Sequence, residues 1–145
     1  MDTSILVGEL LRDSGRRRLG DERLELFTPE QMRDELSTEL PRRLAAFAHS
    51  HGLSRARADE LLTAAFDAVD TNVGVLDESV YRASEDQATW RCVRDALDWP
   101  LVACALSLDT GVWTNDQDLF GTGVATWVSQ TVQGWLDHQP ARPQA

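Results

Sequence analysis

The chain has 145 residues, the size of one ordinary domain, and its 42% hydrophobic and 26% charged content suffices to bury a core without disulfides or a structural metal. A formal net charge of −10 argues against a broad electrostatic grip on nucleic acid, though not against a nuclease whose acids hold metal. All 14 basic residues are arginine, which excludes the lysine chemistry of Walker-A loops, Schiff bases and receiver-type phosphoacceptor sites.

In chain order, Ile5, Leu6, Val7, Leu10 and Leu11 fit a helix opened by Thr3 or Ser4 and running raggedly through Arg16–Arg18 to Gly20. Leu24–Phe27 reads as a short strand. Pro29 begins a helix carrying Met32, Leu36 and Leu40, and Pro41 restarts a second that ends at Gly52. Ser54 is an N-cap for a third, whose Ala58, Leu61, Leu62, Ala65, Phe66 and Val69 keep helical spacing. Val73–Leu76 reads as a strand, and Ser84-x-x-Gln87 as a capping box before a helix reaching about Leu97. Asp98-Trp99-Pro100 opens a helix over Leu101–Leu108, stopped by Gly111. Strands follow at Val112–Thr114 and Val124–Trp127, and Ser129 starts a last helix to about His138. Residues 1–138 are thus one domain, with 139–145 a flexible tail. No apolar run approaches the roughly 20 residues of a membrane helix. With no secretory signature after Met1, a soluble, cytoplasmic protein is expected.

Strands alternating with helices predict an α/β fold, a central parallel sheet covered on both faces in three α/β/α layers. Such sheets gather binding sites at the carboxyl ends of their strands, so acids just after strands matter most. Asp2 opens the first helix, Glu35 lies in the helix after the Leu24–Phe27 strand, Asp98 caps a helix within an apolar run, and Asp116 directly follows Val112–Thr114; Asp118 is a fifth. Cys92 and Cys104, without zinc-type spacing, are expected as buried core residues, and His49, His51 and His138 as solvated. Trp90, Trp99, Trp113, Trp127 and Trp135 lie in apolar segments, so most are expected in the core.

Asp98-Trp99-Pro100-Leu101-Val102-Ala103-Cys104-Ala105-Leu106, followed by Val112-Trp113-Thr114-Asn115-Asp116-Gln117-Asp118-Leu119-Phe120-Gly121, resembles the third-acid helix and the closing strand with its Thr-x-Asp-x-Asp-x-Phe of the PIN-domain family, which includes VapC-type toxins. Asp2-Thr3-Ser4 resembles its opening Asp-Thr-Asn, with serine for asparagine. Pro29 to Glu35-Leu36 resembles the segment carrying its second acid, and Gly121-x-Gly123-x-Ala125-Thr126-Trp127 a continuation found in one subgroup. Asp70-Thr71-Asn72 matches the opening motif better by letters, but it follows Glu35 and would scramble the order of the acids. Asp77 and Glu78 read as loop acids.

The resemblance implies an endoribonuclease using Mg²⁺ or Mn²⁺, held by Asp2, Glu35, Asp98 and Asp116 with Asp118 as a further ligand, while Thr114 and Ser4 orient ligands or water. Oxygen-only donors suit those ions better than zinc. It further implies RNA as substrate and a toxin role with a cognate antitoxin protein as partner, and it leaves a homodimer open. Singly, Asp98 could cap its helix, Asp116 and Asp118 could turn the chain, and Glu35 could face solvent. The alternative reading is a catalytically inactive PIN-like protein-binding module. A haloacid-dehalogenase-like phosphatase wants an Asp-x-Asp after its first strand and a lysine, neither of which is present. Arg16–Arg18, Arg42-Arg43 and Arg55-x-Arg57 are rim cations that could meet RNA, or solvated helix faces. The family places its first acid at the end of a central apolar strand, whereas only Met1 precedes Asp2 here; the first strand is therefore expected to be truncated, and an added apolar N-terminal segment to raise thermal stability.

Overall fold

The computed structural model describes residues 1–139. Asp2 begins the first helix, α1 (Thr3–Leu10), by accepting the Ile5 N–H at 2.7 Å, an N-cap that satisfies one of the four orphan donors of a helix start. The expected single helix to Gly20 is broken at Leu11–Arg12, and α2 (Asp13–Leu19) starts afresh. Gly15 permits that sharp return: a Cβ there would stand 2.2 Å from the Glu9 carbonyl oxygen.

The strand expected at Leu24–Phe27 lies two residues later, as β1 (Leu26–Pro29). It pairs in parallel with β2 (Val73–Leu76), Leu26 opposite Val73 and Pro29 opposite Leu76. Pro29 can end the strand because its missing N–H falls at the last rung, and it then serves as N-cap of α3 (Glu30–Ser50). Pro41 does not restart a helix; α3 passes through it. An interior proline costs about 3 kcal/mol. The stripe Leu36, Leu40, Leu44 and Ala48, all buried at i, i+4 spacing, outweighs that cost, since each leucine contributes roughly 1.5–3 kcal/mol. Ser54 caps α4 (Arg55–Asn72) as its residue type demands, accepting from the Arg57 N–H.

The helix expected after Ser84 stops early, as α6 (Glu85–Arg91), and is preceded by a short α5 (Glu78–Tyr81) and a 3₁₀ turn. Ser84 makes no capping bond; its hydroxyl pairs with that of Ser107 at 3.0 Å. An irregular stretch then leads through the 3₁₀ turn Ala96–Asp98 into α7 (Trp99–Leu108). Asp109, not Gly111, ends α7 by taking a left-handed conformation (φ 49°). β3 (Val112–Trp113) pairs in parallel with β4 (Thr126–Trp127), and α8 (Ser129–His138) follows. Apart from Gln139, the expected tail lies outside the described residues.

The chain is α/β, but the strands form two separate parallel pairs, β1–β2 and β3–β4. Met1 and Asp2 lie between them. The Met1 amine donates to the Phe27 carbonyl (2.7 Å), the Thr28 hydroxyl to the Met1 carbonyl (3.1 Å), and the Asp2 N–H to the Trp113 carbonyl (3.4 Å). Burial of that amine lowers its pKa to about 6, against the opposing pull of Asp2. Elsewhere along the seam between the pairs lies a cavity of about 290 Å³ lined by Leu24, Leu26, Trp113, Trp127, Val132 and Trp135 together with Glu25 and Thr110.

Val112 and Trp113, neighbours on β3, pack into different cores, as the two-residue period of a strand requires. Trp113 joins α1, α3, α4 and α8 through Leu6, Leu36, Leu40, Val69 and Leu136. Val112 joins α6 and α7 through Ala88, Leu101, Val102 and Ala105. Both cysteines are buried in this second core, and burial drives the Cys104 thiol up to about 12. The three histidines are exposed. The tryptophans depart from expectation: only Trp113 is buried, Trp99 is half-buried, and Trp90, Trp127 and Trp135 face solvent because their segments end against loops or the open seam. Among the described residues, no helix is long and apolar enough to cross a membrane.

Candidate metal centre

Four acids approach one another where the first residues, the turn into α7 and the loop after β3 meet. Asp2 is the most heavily bonded. Besides capping α1, its carboxylate accepts from the Ser4 hydroxyl at 3.1 Å and from the Thr114 hydroxyl. Thr114, fully buried, in turn accepts the Asp116 N–H at 2.9 Å, so a single hydroxyl ties the loop after β3 to the start of α1. Asp116 accepts the Asp118 N–H at 2.9 Å, which shapes the short turn Gln117–Leu119. Asp118 also receives the Arg94 guanidinium at 3.3 Å.

Asp98 differs from these three. It occupies the N-cap position of α7, where an aspartate normally caps, yet its side chain makes no capping hydrogen bond. Its pKa is raised to about 6, first by partial burial and then by the negative charges of Asp116, Asp95, Asp118 and Asp2. Its half-buried carboxyl is thus held among like charges that make ionisation costly. Asp95, which sequence reasoning did not single out, joins this group, and its carboxylate also caps the Ala96–Asp98 turn through the Leu97 N–H. Its place could have been read from its position three residues before Asp98.

Glu35 is positioned from the same end by a different route. The Thr3 hydroxyl, next in sequence to Asp2, donates to its Oε2 at 2.7 Å. Glu35 is exposed and is not among the charges acting on Asp98. Among the described residues, no three His, Cys, Asp or Glu side chains stand close enough together to enclose a metal ion. The chemistry of the set nevertheless fits a hard divalent cation, being oxygen-only and including a carboxyl destabilised by its neighbours.

Several other acids and cations are engaged elsewhere. Asp70, of the Asp-Thr-Asn look-alike, sits in the last turn of α4 and pairs with Arg33 (2.8 Å). Asp77 caps α5 and Glu78 pairs with Arg82. Of the arginine runs, Arg16 pairs with Asp13, Arg42 with Glu39, and Arg57 with Glu60. Arg18 binds the buried Glu9, which also accepts from the Ser129 hydroxyl at 2.8 Å; this inner pair fastens α8 to α1 and α2.

The family model described as PIN domain matches residues 1–137, nearly the whole chain and every acid named above. No curated protein and no solved structure matches it significantly.

Proposed function

The chain belongs to the PIN-domain family, whose members are generally nucleases, and from that premise we propose that it is a metal-dependent endoribonuclease acting through Asp2, Asp98, Asp116 and Glu35, with Asp118 beside them. The observation that carries the reading is Asp98: a half-buried carboxyl at a helix start, not used as a cap and surrounded by other acids. A side chain kept there at a cost to ionisation has a use beyond folding.

Mg²⁺ or Mn²⁺ bound by these carboxylates would place positive charge against a phosphodiester and acidify a nearby water for in-line attack. The chain's own residues prepare for this. Thr114 fixes the rotamer of Asp2 and the backbone at Asp116 with one hydroxyl. Ser4 steadies the second oxygen of Asp2, and Thr3 aims Glu35. Asp98 stands at the start of α7 and Asp116 in the turn after β3, and a bound cation would offset the repulsion between them. On this reading, the two strand pairs and the Met1–Asp2 step between them form one interrupted sheet with helices on both faces. A toxin role with an antitoxin partner extends the same reading.

The test is cleavage of a structured and an unstructured RNA in Mg²⁺, Mn²⁺ or EDTA, by the parent chain and by Asp116→Asn. Metal-dependent cutting that the substitution abolishes establishes the nuclease. Cutting that survives EDTA or Asp116→Asn, or no cutting even after an apolar N-terminal extension, overturns it in favour of a protein-binding module.

A further inference from the structure

The cavity in the seam shares no lining residue with the acids, and the nuclease chemistry does not use it. Three of the chain's five tryptophans, Trp113, Trp127 and Trp135, line it. Core packing alone does not account for them, because Trp127 and Trp135 are each left 36% exposed. Two of the three rings are also held in place. The Trp113 indole N–H is spent on the Ser129 hydroxyl at 3.3 Å. The Trp127 ring lies against Gly111, where a Cβ would stand 2.8 Å from its Cδ1 and Nε1. Glycine just before β3 is thus what lets an indole rest on the backbone at the cavity wall.

The charge around this cavity has one sign. Among the described lining residues the exposed Glu25 is the single charged side chain, and no arginine is among them. The face of an indole is the negative pole of its quadrupole, so the aromatic walls and the carboxylate favour the same guest, a cation. An anion would meet both, in a chain of net charge −10. Hydrogen bonding narrows the class of cation. Apart from Glu25 and Thr110, the lining side chains are aliphatic or indole and offer no acceptor. A primary ammonium or a guanidinium brought inside would strand N–H groups. A quaternary ammonium has none to strand, and its alkyl groups suit Leu24, Leu26 and Val132. The volume of about 290 Å³ lies at the foot of the roughly 300–1,000 Å³ span of ligand sites, which selects a small guest.

We propose that Trp113, Trp127 and Trp135, with Glu25 at the wall, form an aromatic cage for the N-alkylated ammonium group of a small organic cation. The cage is separate from the carboxylate cluster, and its occupancy does not depend on whether the chain cleaves RNA.

The probe is choline, with dimethylbutanol as its uncharged carbon isostere, titrated into the full chain and followed by proton NMR and tryptophan emission. Choline should bind at least about 10-fold more tightly than the alcohol, as a desolvated cation on indole does, and its N-methyl protons should move upfield between the rings. This comparison needs no variant, so it stands even where a tryptophan substitution disturbs folding. Trp135→Ala should weaken choline binding about 10-fold, and Trp135→Phe should restore part of it. Glu25→Gln, at an exposed position, should weaken it about 2–5-fold, the range of an exposed charge pair. A trimethyllysine peptide that binds more tightly than choline would uphold the cage and make a modified protein the source of the cation. Equal affinity for choline and the alcohol would reduce the site to an apolar pocket and overturn the proposal. Choline binding that Trp135→Ala and Glu25→Gln both leave unchanged would overturn it as well, as would no binding of choline at tens of millimolar.

Discussion

The seam between β1 and β3 has two ends of opposite character. At the end marked by Asp2, hydroxyls and N–H groups are spent in fixing carboxylates, and Asp98 is held among like charges. At the other end the walls are mostly leucine, valine and tryptophan around a cavity that Glu25 and Thr110 also line. One end is tightly bonded but electrostatically costly; the other is more apolar but loosely packed. The contrast shows that stability and reactivity here are set by different deficits, charge in the first case and contact in the second. They should respond to different changes.

The largest expected effect is at the charged end. Asp98→Asn and Asp116→Asn should each lower RNA cleavage at least about 100-fold, the upper end of the 10–100-fold losses seen when partners of metal ligands are removed. Initial rates in Mg²⁺ check this, and a loss under threefold in both would break the assignment. Thr114→Val comes next. Its hydroxyl serves both Asp2 and Asp116, so activity should fall about 10–100-fold, and the orphaned groups should cost about 1–3 kcal/mol in urea unfolding. A Thr114→Ser variant that retains the hydroxyl should recover most of the activity.

At the apolar end, a five-residue apolar segment added before Met1 should raise the melting temperature by on the order of 5 °C, as a gain of one or two kcal/mol does in a domain of this size. Polar residues of the same length should not. The smallest effect returns to the acids. Because the pKa of Asp98 is about 6 in the folded chain and near 3.8 in the unfolded one, the folded state binds the extra proton between those values. Stability from this group therefore falls as pH rises from about 4 to 6 and stays low above 6. Asp98→Asn in EDTA should raise the melting temperature at pH 7, and the gain should shrink toward zero near pH 4; a uniform shift at both would assign it to packing instead.

Much of this was legible in the sequence where one signal acts locally. Ser54 as a cap, the Val73–Leu76 strand and the α7 stripe are short-range patterns, and the structure keeps them. The family was legible too, because the residues around Asp98 and Asp116 carry family letters as well as charge. What could not be read depends on partners distant in sequence. Pro41 inside α3 is tolerated because Leu36, Leu40 and Leu44 are buried against other helices, and β1 is shifted because Val73–Leu76 fixes its register. The exposure of Trp90 was hidden for the same reason: an apolar neighbourhood in sequence is no measure of what covers it in space.

The placement of the two cysteines gives the molecule an internal clock. Cys92 and Cys104 both belong to the core of α6 and α7, and the core around α1 and α3 has none. Burial keeps both thiols protonated and shielded, so alkylation must await an opening of that half. The labelling half-life of the native chain thus times the breathing of the half that carries Asp98 and Asp116, and slower labelling with divalent cation than with EDTA would record how firmly the ion stitches that half to the one bearing Asp2 and Glu35.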